Sequence, residues 1–276
     1  MSAHRSRDVA IWVWPRQPGL LRLLIAWLAC SPTLEEAAGR LGLLDVHRRT
    51  AFTFDHGGRM THESAPNRSR GNRFSYTGCS DGNRGVIRDD VPEEGVADAL
   101  QTLLAGEPPL DRPDSTPRHR AEYARLLDSV ALLGLLWVFP APIGYQGGVR
   151  LVWSGSDEAE ALLARPERNA AFGSRGSGLA RTEAWWEPSC LALVGGEAVS
   201  IATTARAGAE GAEVGVDTAP EFRGRGLATA VVAGWSRHPD LADRVLFYST
   251  GRDNISSRRV SDRLELRFVG STFAVP

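Results

Sequence analysis

Apolar positions along this chain change their spacing several times, and each change marks an element. Val96, Leu100, Leu103 and Leu104 recur at helical spacing behind Glu93 and Glu94, so Pro92–Ala105 reads as a helix. Pro117–Leu127 reads as another, and the intervening Glu107–Pro117, with four prolines, as a rigid connector. Upstream, Ser31–Glu36 sets capping residues before a turn with two acids, and the helix they start is weakened by Gly39 and Gly42. Ala51–Met60 alternates and turns at Asp55-His56-Gly57-Gly58, the pattern of a hairpin. Pro66–Asn72 and Ser80–Asn83 are polar and loop-like.

Ser129–Pro140 is almost wholly apolar and reads as a hydrophobic helix around Leu132–Val138, ended by Pro140 and Pro142. Beyond it the pattern becomes short strands alternating with helices. Gly148–Ser154, Leu191–Val194, Ala198–Thr203, Ala212–Thr218, Val245–Tyr248 and Phe268–Val275 read as strands. Asp157–Ala164, Gly226–Trp235 and Asn254–Leu264 read as helices, and Gly195-Gly196 as a turn. The shift near Pro140–Gly148 divides the chain into an extension (1–45), an α/β region of unknown role (46–147) and a third segment (148–276).

Composition narrows the functional classes. All 32 basic residues are arginine, and with abundant Ala and Gly this points to codon bias in a GC-rich bacterial genome rather than to phosphate-binding patches. The net charge of −1 gives no pull toward nucleic acid or an anionic membrane. Cys30, Cys79 and Cys190 form no Cys-x-x-Cys pair and the six histidines are scattered. A cytoplasmic protein with reduced thiols and no metal site is therefore expected. The apolar Leu20–Ala29 is interrupted by Arg22 and falls short of the ~20 residues that a membrane span needs, so an amphipathic or buried helix is expected there.

The stretch that carries chemistry runs from Glu213 to Val232: a strand, a turn at Pro220, a Gly-rich loop, and a helix. Gly224 and Gly226 let backbone approach a ligand closely, and amides at the positive end of the helix dipole suit a pyrophosphate. The loop lacks the Lys-Ser/Thr pair of a P-loop and the spacing of a dinucleotide fingerprint.

A strand, then Arg223-x-x-Gly226-x-Ala228, then a helix resembles the coenzyme A signature of the GNAT superfamily of N-acetyltransferases. Asn254-Ile-Ser-Ser257, after the strand ending at Tyr248-Ser249-Thr250, resembles that family's Asn-x-x-Ser/Ala helix. The resemblance covers about Gly148–Pro276; the Phe52-x-Phe-Asp55 and Gly82-Asn83 region is similar to the leading part of uncharacterised bacterial members. It implies an α+β fold with a mixed central sheet flanked by helices, plus an additional N-terminal α/β region. It also implies acetyl-CoA as co-substrate. The cofactor would lie against Val216, Asp217 and Thr218, with Arg223, Gly224, Arg225, Gly226, Leu227, Ala228 and Thr229 at its pyrophosphate. Asn254 and Ser257 would sit at its arm.

The implied reaction is acetyl transfer to a primary amine of a small molecule or peptide, by direct attack in a ternary complex. A homodimer is compatible with it; nucleic acid and membrane partners are not expected. An alkyl amine has a pKa near 10. Glu213 is therefore the candidate base, with Asp217 second, and a solvated strand carboxylate is the other reading of Glu213. Many relatives protonate the departing thiolate with a tyrosine seven residues after the motif Asn, where this chain has Ser261. Ser261, Tyr248, a water, or less readily Tyr145 would then have to serve. A second departure is Leu264-Glu265-Leu266 in place of Leu-Gly-Phe or Leu-Gly-Leu. Leu132–Val138 and Trp185-Trp186 are candidate lining for an acceptor pocket. The alternative is an acyl-CoA-binding regulatory protein with weak or absent catalysis.

Overall fold

A computed structural model describes residues 34–66, 68–145, 147–164 and 186–276. The expectations for Leu20–Ala29 and Trp185 lie outside these residues. Among the described residues, nine strands form one mixed sheet and six α-helices are set around it.

Helix α1 (Leu34–Ala51) is kinked at Gly39, whose positive φ of 64° no other residue adopts comfortably. It leads into a two-stranded hairpin, β1 (Phe52–Phe54) with β2 (Met60–Glu63), turned where the Gly57-Gly58 pair predicts. Strands β3 (Phe74–Cys79) and β4 (Gly82–Ile87) form an antiparallel pair. The helix expected over Pro92–Ala105 is regular only from α2 (Asp98–Ala105), because Glu94 and Gly95 leave helical geometry. Helix α3 (Arg120–Leu127) follows.

The apolar run that read as a helix around Leu132–Val138 is a strand, β5. Leu135 and Trp137 belong to the core on one face of the sheet, Leu136 and Val138 to the core on the other. A strand buried on both faces carries no alternation, so its sequence looks like that of a buried helix.

The remaining elements are β6 (Arg150–Trp153), α4 (Asp157–Leu163), β7 (Trp186–Val194), β8 (Glu197–Ala207) and β9 (Gly211–Thr218). After them come α5 (Leu227–Ser236), β10 (Val245–Gly251), α6 (Ile255–Arg263) and β11 (Arg267–Val275). The order across the sheet is β4-β3-β11-β5-β10-β9-β8-β7-β6. Strand β5 is antiparallel to both β10 and β11 and separates them. The boundary expected at 147/148 therefore does not separate two sheets: strands from both sides of it interleave in one.

Two layers cover the sheet. Helix α5 is buried along almost its whole length, and Val231, Val232 and Trp235 pack on Val214, Leu246 and Tyr248. Gly234 is what lets it lie that close, since a Cβ there would stand 2.5 Å from Cys190 Sγ. Trp235 Nε1 donates to Thr204 Oγ1 at 3.1 Å, pairing the one polar atom of that large buried ring. On the opposite face, Leu43, Leu44 and Val46 of α1 pack on Leu136, Val138, Phe247 and Val269. Beside them, Ala159 of α4 packs on Ile201. A separate cluster of Phe74, Tyr76, Tyr123 and Phe273 holds β3, α3 and β11 together. Among the described residues, no helix is long and apolar enough to cross a membrane.

Candidate active site

Strands β9 and β10 are parallel and paired for only four residues, Val245↔Gly211 through Tyr248↔Val214. Both continue past that point: β9 reaches Thr218 paired with β8, and β10 reaches Gly251 paired with β5. One edge of Gly215–Thr218 is thus left without a strand partner among the described residues. Each strand is followed by a helix whose N-terminus returns to this end of the sheet. A crevice at the carboxyl ends of diverging parallel strands is where open α/β sheets bind ligands.

The loop joining β9 to α5 is shaped by its own residues. Pro220–Phe222 makes one tight turn, and Arg223 Nε donates back to the Thr218 carbonyl at 3.0 Å. Gly224 and Gly226 both take φ of 79°, and nothing lies within 4 Å of where a Cβ would point at either. Gly226 is the N-cap of α5 and offers no side chain, so the first amides of the helix have no internal acceptor. The second helix, α6, is capped by its own chain: Asn254 Oδ1 accepts from Ser257 N at 3.1 Å. Asn254 lines the crevice, and its amide group keeps two N–H donors beside the oxygen used in the cap.

The crevice is a cavity of about 450 Å³. Eleven of the twelve residues named for the cofactor line it: Val216, Asp217, Thr218, Arg223, Gly224, Gly226, Leu227, Ala228, Thr229, Asn254 and Ser257. The twelfth, Arg225, does not; its guanidinium lies 5.0 Å over the Phe222 ring and donates to the Glu221 carbonyl. Thr229 Oγ1 is buried on the cavity wall with no hydrogen-bond partner among the described residues. Sequence reasoning missed Ser256, Arg259, Val260 and Arg263, which also line it. Their spacing from Ser256, at +3, +4 and +7, is one face of a helix, and that periodicity was the available signal. Arg259 and Arg263 are exposed and have no ion-pair partner among the described residues.

The residues named for proton transfer are placed very differently. Glu213 is neither a base open to the crevice nor a solvated strand carboxylate. It alternates with Val214, faces α1, and is 3% exposed. His47 Nε2 lies 3.0 Å from its Oε2, Arg206 Nη1 donates to Oε1 at 2.9 Å, and Ser249 Oγ donates to Oε1 at 2.5 Å. Arg206 also bridges to Glu63 at 3.1 Å. Burial alone would raise the Glu213 pKa; the Arg206 charge and the hydrogen bonds from His47 and Ser249 outweigh it and hold the carboxyl at about 2. A carboxylate that acidic is a poor proton acceptor. Asp217 is also committed, accepting from Thr218 N at 2.8 Å.

Ser261 is fully buried, and its hydroxyl donates at 2.7 Å to the Arg258 carbonyl of its own helix. It does not line the cavity, so it does not occupy the place of the acid its position in the motif implies. Tyr248 is buried against Trp137, and its hydroxyl donates to the Ser257 carbonyl at 3.3 Å. Burial pushes the phenol up, which leaves it protonated behind the cavity wall. Cys190 is likewise buried, with its thiol pushed up to about 12. Glu265, the second departure from the motif, takes φ of 51°, the left-handed turn conformation that a glycine adopts without strain.

No family model and no curated protein matches the chain. Solved structures do. A GNAT-family protein from Novosphingobium aromaticivorans aligns at 21% identity over 52% of this chain and 63% of its own, with a TM-score of 0.39. An acetyltransferase of the GNAT family from Colwellia psychrerythraea aligns at 14% identity over 93% and 95%, TM-score 0.42. A tandem GNAT protein from the clavulanic acid biosynthesis pathway aligns at 14% over 70% and 73%, TM-score 0.41. For the first of these, the match spans less than two thirds of the relative's own length. These likenesses are low in identity and in TM-score, so what the site binds has to come from its own geometry.

Proposed function

We propose that the chain is an N-acetyltransferase that takes acetyl-CoA as co-substrate and passes the acetyl group to a primary amine. The observation that carries this reading is the end of β9–β10 pairing at Val214/Tyr248, directly beside the Gly224–Gly226 loop and the N-terminus of α5. An unpaired strand edge suits an extended arm containing amides, and uncapped helix amides suit a pyrophosphate. The fit is specific in two further ways. The space off Gly224 and Gly226 is open, and the buried Thr229 hydroxyl has no partner among the described residues, one that a bound ligand would supply.

Acetyl-CoA supplies an activated thioester carbonyl when bound. The protein holds it with the amides of 223–229, the free edge of 215–218 and the N–H donors of Asn254. Transfer then rests on holding an unprotonated amine against that carbonyl, with a strand amide toward the developing oxyanion, and needs no covalent intermediate. Glu213 is buried off the cavity with both carboxylate oxygens engaged, so the amine loses its proton to solvent rather than to this carboxylate. A second reading, acyl-CoA binding without turnover, is favoured by the burial of both Ser261 and Tyr248, which removes two of the candidate acids for the thiolate.

Calorimetric titration of the full chain with acetyl-CoA, CoA and ATP tests the reading. Micromolar binding of acetyl-CoA with none of ATP is expected. Gly226→Glu places a carboxylate in the open space at the helix N-terminus, so it should weaken acetyl-CoA binding by at least about a hundredfold, or ~2.7 kcal/mol, while the chain stays folded. Folded wild-type protein that ignores acetyl-CoA sinks the assignment. Amine-stimulated release of free CoA separates the transferase from the silent binder.

A further inference from the structure

The buried network around Glu213 ends at a group the cofactor assignment does not use. Ser249 is the first residue of β10 beyond its last pair with β9, so it stands where the strands part. Its backbone is held on the other side by Leu136 of β5. Its hydroxyl is on the α1 side of the sheet, because it donates to Glu213, and it is only partly buried. The cavity lies on the other side of the parting, toward α5 and α6.

Glu213 fixes that hydroxyl in one direction. Its Oε2 is taken by His47 and its Oε1 by Arg206, and both holders are themselves anchored. Arg206 is tied to Glu63, and the His47 ring packs edge-on against Phe247 at 5.0 Å. The carboxylate therefore cannot turn away, and Ser249 directs its proton to it. A hydroxyl whose only proton is so engaged presents lone pairs to everything else. It becomes an oriented acceptor, and the group it suits is an N–H.

Resting on the acetyltransferase reading, we propose that Ser249 binds the acceptor amine by accepting one of its N–H bonds at the parting of β9 and β10, and that Glu213 and His47 are positioning residues for it. No proton need leave the amine for this: the hydrogen bond aims the nitrogen lone pair at the thioester carbonyl. The arrangement gives the N-terminal region a part in the site, since His47 reaches Glu213 across 166 residues of sequence. It also explains why a carboxylate too acidic to be a base is buried here at all.

The test compares wild type, Ser249→Ala, Ser249→Thr, His47→Ala and His47→Gln as full chains. Acetyl-CoA Kd is read by calorimetry, and CoA release with spermidine, a lysine tripeptide and a free-N-terminus tripeptide by thiol titration. Ser249→Ala should leave the acetyl-CoA Kd within about twofold and lower amine kcat/KM tenfold or more; Ser249→Thr, which keeps the hydroxyl, should restore it to within about threefold. His47→Ala should show the same split, and His47→Gln, which keeps a donor to Glu213, should recover most of the loss. If Ser249→Ala turns over amine like wild type, the proposal is wrong and the transferase reading stands. Equal losses in the Ala and Thr variants, or in cofactor and amine terms together, also overturn it by making the role structural. Wild type that binds no acetyl-CoA, or binds it and responds to none of the three amines, overturns the transferase reading and this proposal with it.

Discussion

Glu213 and the Gly224–Gly226 loop belong to one unbroken stretch of sequence, yet they take their properties from opposite sources. The loop is local. Two glycines at positive φ and the helix that follows create its shape, and the open space in front of it needs no distant residue. Glu213 is made by the rest of the chain: Arg206 from β8, Ser249 from β10, and His47 from a helix near the N-terminus. Alternation along β9 indicates that Glu213 and Val214 face opposite ways, but not that one of those faces is sealed by α1. A motif thus announces a binding loop, while the state of a carboxylate only a turn and a strand away depends on tertiary packing.

The contrast can be broken most severely by removing its distant half. A chain of residues 148–276 keeps the whole motif but lacks β5, the strand that lies between β10 and β11 and pairs with both. It should fail to melt cooperatively, whereas the full chain should show one transition by circular dichroism. A cooperative, acetyl-CoA-binding 148–276 fragment would show that the interleaved sheet is dispensable to the site.

That expectation differs from what the sequence pattern suggests, and the reason is specific to β5. The apolar run Leu132–Val138 has no alternation because Leu135–Val138 is buried on both faces, and without alternation its length and apolarity fit a helix equally well. The strands that carry the site were legible because they end in motifs, and β9, α5, β10 and α6 fall within a few residues of their expected limits. The proton-transfer roles were illegible for the complementary reason. A motif position implies Ser261 by counting, but helix rotation decides whether its hydroxyl meets a cavity or its own backbone.

A smaller perturbation isolates the buried carboxylate. Its pKa in the folded chain is about 2 against an ordinary 4.5, so the unfolded state binds its proton more readily. The stabilisation is fully present above about pH 5 and is lost as the pH falls through 4.5 toward 2. At 1.36 kcal/mol per unit it amounts to about 3 kcal/mol. Urea midpoints of wild type should therefore drop between pH 5 and pH 3. Glu213→Gln should be destabilised by ~3 kcal/mol at pH 7, because it leaves the Arg206 charge without its main partner, and should lose most of that pH dependence. A variant as stable and as acid-sensitive as wild type would mean that the network around Glu213 contributes nothing to folding.

The smallest expected effect concerns Ser261, and it sharpens the comparison because here the motif and the packing disagree. Counting from Asn254 puts Ser261 where the resemblance of the motif implies an acid; the fold puts its Oγ at 2.7 Å from the Arg258 carbonyl, fully buried and off the cavity. Ser261→Ala removes only that intrahelical hydrogen bond, and alanine is the better helix former. Amine-dependent CoA release should change by less than about threefold, with stability within ~1 kcal/mol of wild type. Acid catalysis by a positioned side chain contributes about a hundredfold or more, so a loss on that scale would place the serine at the thiolate after all. It would require α6 to rotate when acetyl-CoA binds. Since the same rotation would pull Ser257 away from Tyr248, a simultaneous change in tyrosine absorbance on titration with acetyl-CoA would mark it.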